Sequence, residues 1–179
     1  LHKEYRRQRQ MCIRDSFSWP LQRALIEQVI ASIQRPDNGI WEIRGEPQWF
    51  THSRVMMWAA LDRGVRAVQE HGLPGDADRW AGVRDGLRRE IDERGVDADH
   101  GYFVQHYGSI EVDASLLVLP QVGYCDPDDP RMLRTVEQIE RTLLTDGFLR
   151  RYRTESGVDG LDGGCLLYTS DAADDTPCV

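Results

Sequence analysis

The sequence predicts an all-α protein made of stacked helical hairpins. Apolar residues recur at three- and four-residue steps in five segments, and the connections between them are short and rich in Pro, Gly and Asp. The segments also alternate in character: some are apolar on several sides, others carry one apolar stripe opposite a charged face. Alternating inner and outer helices argue for hairpins in layers rather than a four-helix bundle. At most scraps of strand are expected.

The first helix follows Pro20, which is harmless in a first turn where its missing N–H has no partner to lose. Leu21, Leu25, Ile26, Val29 and Ile33 form its stripe. Arg35-Pro36-Asp37-Asn38-Gly39 stops it, because Pro disfavours helix in the preceding residue and Asn-Gly favours a turn. The second helix, residues 52–70, is apolar on several sides through Val55, Met56, Met57, Trp58, Leu61, Val65 and Val68, as an inner helix would be. Gly72-Leu73-Pro74-Gly75 breaks the chain, and Asp76 or Asp78 caps the third helix. There Trp80, Val83, Leu87 and Ile91 face inward, while Arg79, Arg84, Asp85, Arg88, Arg89, Glu90 and Glu93 read as a solvated outer face.

Gly95 is placed as that helix's C-terminal cap. Tyr102-Phe103-Val104-Gln105-His106-Tyr107 reads as extended or irregular. Asp113 opens a short inner helix ending at Pro120. Asp126-Pro127-Asp128-Asp129-Pro130 is a turn and cap before a last helix marked by Met132, Val136, Ile139, Leu143 and Leu144, which ends near Gly147.

The two ends of the 179-residue chain read differently. Residues 6–16 and 165–174 resemble translated DNA adapter: one codon choice for the first peptide has a reverse complement that, in another frame, encodes the second. Residues 1–16 and 165–179 are therefore set apart as adapter-derived, leaving residues 17–164 as the native, partial domain. Of four cysteines, only Cys125 lies in that span, so no disulfide framework or paired-cysteine metal site is expected. A single thiol fits a reducing, cytoplasmic setting. The formal net charge of −8 argues against a nucleic-acid partner, and no apolar run is long enough for a membrane span. The scattered histidines make no metal-ligand pattern, no glycine-rich phosphate loop follows a strand, and no cofactor is expected.

The chemistry concentrates in Pro36-Asp37-Asn38-Gly39-Ile40-Trp41-Glu42-Ile43-Arg44-Gly45. A carboxyl that serves as a proton donor near neutral pH needs apolar surface beside it, and Glu42 follows Trp41. With Trp49, Phe50 and the helix beginning Thr51-His52-Ser53-Arg54, this loop resembles glycoside hydrolase family 15, the inverting α-glucoside hydrolases that include glucoamylase, glucodextranase and trehalase-like enzymes. The resemblance implies an α/α toroid of six helical hairpins, of which this chain covers a middle slice, and a small carbohydrate as substrate. It makes Glu42 the general acid and Trp41 a sugar-facing ring. Leu149-Arg150-Arg151-Tyr152 resembles the family's Arg-Tyr element and makes Arg151 a clamp on sugar hydroxyls, a use suited to a rigid guanidinium fork. The doubled Arg leaves that assignment open by one residue. Gly157-Val158-Asp159-Gly160-Leu161-Asp162-Gly163-Gly164 is similar to a loop near the substrate.

Arg44 and Asp113 complete the substrate-binding candidates, although a helix cap is the stronger reading of Asp113. Asp37, His52 and His106 rank behind them. Where fungal members carry a second acidic residue after the acid, this chain has Ile43, which points to the bacterial branch. The general base is expected downstream, outside this chain. The isolated slice is expected to fold poorly, because inner helices would lack neighbours. A helical scaffold that binds a partner without catalysis, with Glu42 paired to Arg44, is the competing reading. An inverting phosphorylase is a third.

Overall fold

The computed structural model describes residues 18–153 and the two-residue strand 166–167. Four α-helices, α1 (Trp19–Ser32), α2 (Thr51–His71), α3 (Ala77–Arg94) and α4 (Pro130–Leu143), are joined by a 3-10 helix (Ala114–Val118) and three short strands, β1 (Leu144–Thr145), β2 (Phe148–Arg150) and β3 (Leu166–Leu167). The described residues form an all-α structure with the helices in the predicted order. They fall into two compact units, one of residues up to 34 plus 57–86, the other of residues 35–56 plus 87 onward.

In the first unit, α1 starts with Pro20 in its opening turn and the Gln22 N–H donating to Ser18 O at 2.9 Å. Its inward line is Trp19 and Ile26, two turns apart, not the stripe read from the sequence: Leu21 and Leu25 are 62% and 56% exposed. The helix is rotated because Trp19 anchors it. Its indole N–H donates to Pro74 O at 3.0 Å, and its ring meets Trp80 edge-on at 6.3 Å. Ile26 packs where Gly64 offers no side chain; a Cβ there would lie 2.5 Å from Ile26 Cδ1. Glu27 accepts from the Trp80 indole (3.0 Å) and from Arg79 (2.9 Å), and these donors hold its carboxyl below the usual range. Asp76, rather than Asp78, caps α3, its Oδ1 accepting from Arg79 N at 3.2 Å.

The second unit holds the first turns of α2, the last turns of α3 and everything that follows. Its interior is mainly apolar: Phe50, Val55, Leu87, Ile91, Phe103, Val104, Leu116, Leu119, Ile139 and Leu143 are buried, with a few polar residues such as Arg54 and Asp113 among them. Gly95 does follow α3, with its N–H on Ile91 O at 2.8 Å, but it is needed for room, since a Cβ would meet that same carbonyl at 2.8 Å and Thr51 at 3.1 Å. The extended segment behind it is pinned by isolated bridges pairing Val96 with Phe103 and Phe50 with His106. Asp129 and Pro130 start α4 as expected, and Thr135 inside it accepts the Phe103 N–H at 2.9 Å.

Two readings change here. The last helix ends at Leu143, and Leu144 is an exposed strand residue, because Asp146 (φ 51°) and Gly147 (φ 82°) make a two-residue hairpin turn. The hairpin pairs Leu144 with Leu149 and Thr145 with Phe148, and β2 pairs in turn with Leu166–Leu167, within the stretch set apart as adapter-derived. The outer face of α3 is also less solvated than its charges imply. Glu90 pairs at 2.8 Å with Arg54, which is only 2% exposed, and Arg88 lies over the Tyr124 ring at 4.2 Å. Asp92 gathers Tyr124 OH (2.9 Å) and Arg131 (2.7 Å).

Two stability effects are expected. Arg54→Ala should destabilise by about 3 kcal/mol, at the low end for breaking a buried pair because Glu90 keeps a path to water. Gly64→Ala should lower stability by roughly 1 kcal/mol through displacement of Ile26, whereas Gly82→Ala, with nothing within 4 Å of the new Cβ, should raise it by a similar amount. Urea unfolding midpoints of the variants check all three.

Candidate active site

The loop bearing Glu42 is closed at its base. Asp37 and Gln48 exchange backbone hydrogen bonds of 3.0 and 2.8 Å, and the Asp37 carboxylate accepts the Gly39 N–H (2.6 Å) and the Ser53 hydroxyl (2.9 Å). Inside the loop the Asn38 amide donates to Ile43 O (2.6 Å) and more weakly to Gly45 O (3.3 Å), while Ile43 N–H returns to Asn38 O (2.9 Å). Gly39 is required twice over: its φ is 68°, and a Cβ would press on the Phe50 ring at 3.1 Å. Ile43, 3% exposed, plugs the loop into the interior. That burial gives the departure from an acidic residue at this position a packing reason.

This framework turns the residue before the plug outward. Glu42 takes a left-handed conformation (φ 50°) and is exposed, with its N–H on Gly39 O at 3.2 Å. Non-glycine residues avoid that region, and such strain concentrates at functional positions. The described residues do not supply the apolar enclosure that the sequence analysis expects around the carboxyl. Nor does Glu42 pair with Arg44: both side chains are exposed and neither makes a hydrogen bond or ion pair among the described residues.

Trp41 is half-buried, with its indole N–H shielded from solvent and without a hydrogen-bond partner among the described residues. The Arg151 guanidinium stands 5.5 Å from the Trp41 ring centroid, a cation–π distance. Trp41 and Arg151 thus meet, although 110 residues separate them, and Glu42 is the next residue in the chain after Trp41.

Asp113 is placed differently. It is 2% exposed and caps the 3-10 helix, its Oδ1 accepting the Ser115 N–H at 2.9 Å and a short bond from the Ser115 hydroxyl. Burial pushes its carboxyl up to about 6, opposed by the Ser115 bonds; the Gln105 amide faces it without forming a well-directed hydrogen bond. His52 is buried beside Asp37, and loss of water holds its imidazole below the usual value. His106 packs edge-on against Phe50 at 5.8 Å. Sequence reasoning missed the Asn38 clasp, although Asn-Gly was its signal, and the buried Arg54, whose position on an apolar helix carried none.

Among the described residues no group of three His, Cys, Asp or Glu could hold a metal ion, and no helix is long and apolar enough to cross a membrane. An open groove of about 460 Å³ lined by His100, Tyr102, Arg134, Glu137, Gln138 and Arg141 contains none of the residues above. An exposed carboxylate, an indole ring and a guanidinium are residue types suited to a polyhydroxylated ligand.

Known proteins match this chain in sequence and in fold. The sequence model for glycosyl hydrolases family 15 matches residues 8–176. A trehalase of Mycobacterium tuberculosis is 43% identical over 145 residues, covering 81% of this chain and 21% of the relative. A trehalase of Thermoplasma volcanium is 38% identical over 160 residues, covering 87% of this chain and 25% of the relative. The chain therefore spans a fifth to a quarter of the trehalases it matches. Among solved structures, a glycosidase variant in complex with glucose superposes with a TM-score of 0.65 at 21% identity, covering 79% of this chain and 36% of that one. A wild-type glycosidase gives 0.63 at 22% over the same shares. These likenesses carry the fold, a partial α/α toroid. A family match across most of the sequence, joined to relatives well above 30% identity, makes this chain a member of glycosyl hydrolases family 15.

Proposed function

We propose that this chain is the acid-bearing part of an inverting α-glucoside hydrolase whose substrate is trehalose. The observation that carries the reading is Glu42, exposed and held at φ 50° by a hydrogen-bonded loop, next to a Trp41 that lies under Arg151. The names of the curated relatives support trehalose over other α-glucosides.

In this reading Glu42 gives its proton to the glycosidic oxygen as the C1–O bond breaks, so the leaving glucose departs neutral. Arg151 donates to hydroxyls of the sugar being cleaved, and the Trp41 ring covers its apolar face. Water attacks C1 from the opposite side. Its proton passes to a second carboxylate, placed about 6.5–9.5 Å from the acid as inversion requires, which lies on sequence outside this chain. Substrate closing over Glu42 supplies the apolar cover that the described residues leave open.

The test uses the full-length enzyme with trehalose, maltose, isomaltose and dextran. Trehalose should be cleaved, with α- and β-glucose appearing in equal amounts in the first proton NMR spectra, since only the attacked sugar inverts. Glu42→Gln should lower kcat by about 10²–10⁴-fold, the usual worth of a positioned acid, with little change in melting temperature. Two α-glucose products, or a Glu42→Gln variant of undiminished rate, would overturn the assignment. Arg151→Lys should raise KM more than it lowers kcat, because a point charge replaces a forked donor.

A further inference from the structure

We infer that Asp113 is a positioning residue which holds Arg151 over Trp41 without touching the sugar, an inference that rests on the function proposed above. Asp113 is 2% exposed, so a ligand arriving from solvent does not reach its carboxylate. Both bonds from Ser115 end on the same oxygen, Oδ1, and fix the first turn of the 3-10 helix. The amide between cap and capped residue points the other way: Ala114 N–H donates to Arg151 O at 2.8 Å. That bond sets the backbone from which the Arg151 side chain reaches the Trp41 ring at 5.5 Å. A second tie between the same two segments, Arg153 to Glu111, is longer at 3.7 Å and more exposed, so it is the weaker of the two. The Arg-Tyr element thus takes its register from a turn some 40 residues earlier in the chain, roughly the span from Asp113 to Arg151, and the turn takes its shape from one buried carboxylate.

The experiment compares Asp113→Ala and Asp113→Asn in the full-length enzyme, alone and combined with Arg151→Ala. Asp113→Ala should raise KM for trehalose by about ten-fold, the scale of one lost helix cap, with a smaller fall in kcat. Asp113→Asn should restore most of the loss, because its amide oxygen can accept both Ser115 bonds. In the Arg151→Ala background the Asp113→Ala loss should vanish. An equal loss in both backgrounds would mean that Asp113 does not act through Arg151. If Asp113→Ala does not fold, Ser115→Ala, which removes only the hydroxyl bonded to Asp113, takes its place with the same pattern at smaller size. Hydrogen exchange of the Ala114 amide needs no activity. Should the wild-type enzyme cleave no α-glucoside, the function proposed above fails, and exchange alone decides this inference: faster exchange in the variant sustains it, and unchanged exchange overturns it.

Discussion

The carboxylate of Asp37 is the fastening on which the site depends. Its backbone closes the loop against Gln48, and its side chain reaches forward to Gly39 and across to Ser53 in the first turn of α2. A loop of this length would ordinarily sample many conformations, each residue fixed at a cost of about 1–2 kcal/mol. Here hydrogen bonds at the base, the Asn38 clasp inside and the buried Ile43 together leave few alternatives. Glu42 is therefore precise in position while exposed in environment. The proton-donor role proposed for it needs the first and can wait for a ligand to change the second.

A second habit of the chain is to seat arginines on aromatic rings. In the second unit Arg54 lies over Trp49, Arg88 over Tyr124, Arg94 over Tyr107, Arg131 over Phe103 and Arg151 over Trp41, at 4.2–5.5 Å. Guanidinium is weakly hydrated and planar, so it can be stacked and still donate hydrogen bonds at its edge. Three of these arginines also meet carboxylates: Arg54 with Glu90, Arg88 with Asp92, and Arg131 with Asp92 and Asp129. Arg151 uses the same packing device, with no carboxylate paired to it among the described residues.

Much of this was legible in the sequence. Helix positions followed from periodicity and from Pro20, Asp129 and Pro130, because local backbone chemistry decides where helices begin. Facing was harder. Leu21 and Leu25 looked like the inner stripe of α1, but Trp19, one residue before the apparent start, anchors the helix and turns them outward. Asp146-Gly147 lay at the end of an apolar run that hid its hairpin. At the site, the resemblance to family 15 rather than residue types alone singled out Trp41, Glu42 and Arg151 as candidates, while the left-handed backbone of Glu42 could not be read, since nothing in a Glu codes for it. Asp113 was legible as a cap but not as buried, because burial depends on what the chain packs above it.

The backbone at position 42 sets local preference against chemistry. Glycine or asparagine would sit at φ 50° with less strain than Glu, by about 1 kcal/mol or more. Selection for folding alone would thus pull this position away from a carboxylate. Under the proposed function, a descendant freed from the proton-donor role should lose Glu42 early, gaining stability as it does so, and the identity of this one residue becomes a marker that separates working members of a lineage from those kept only for their fold.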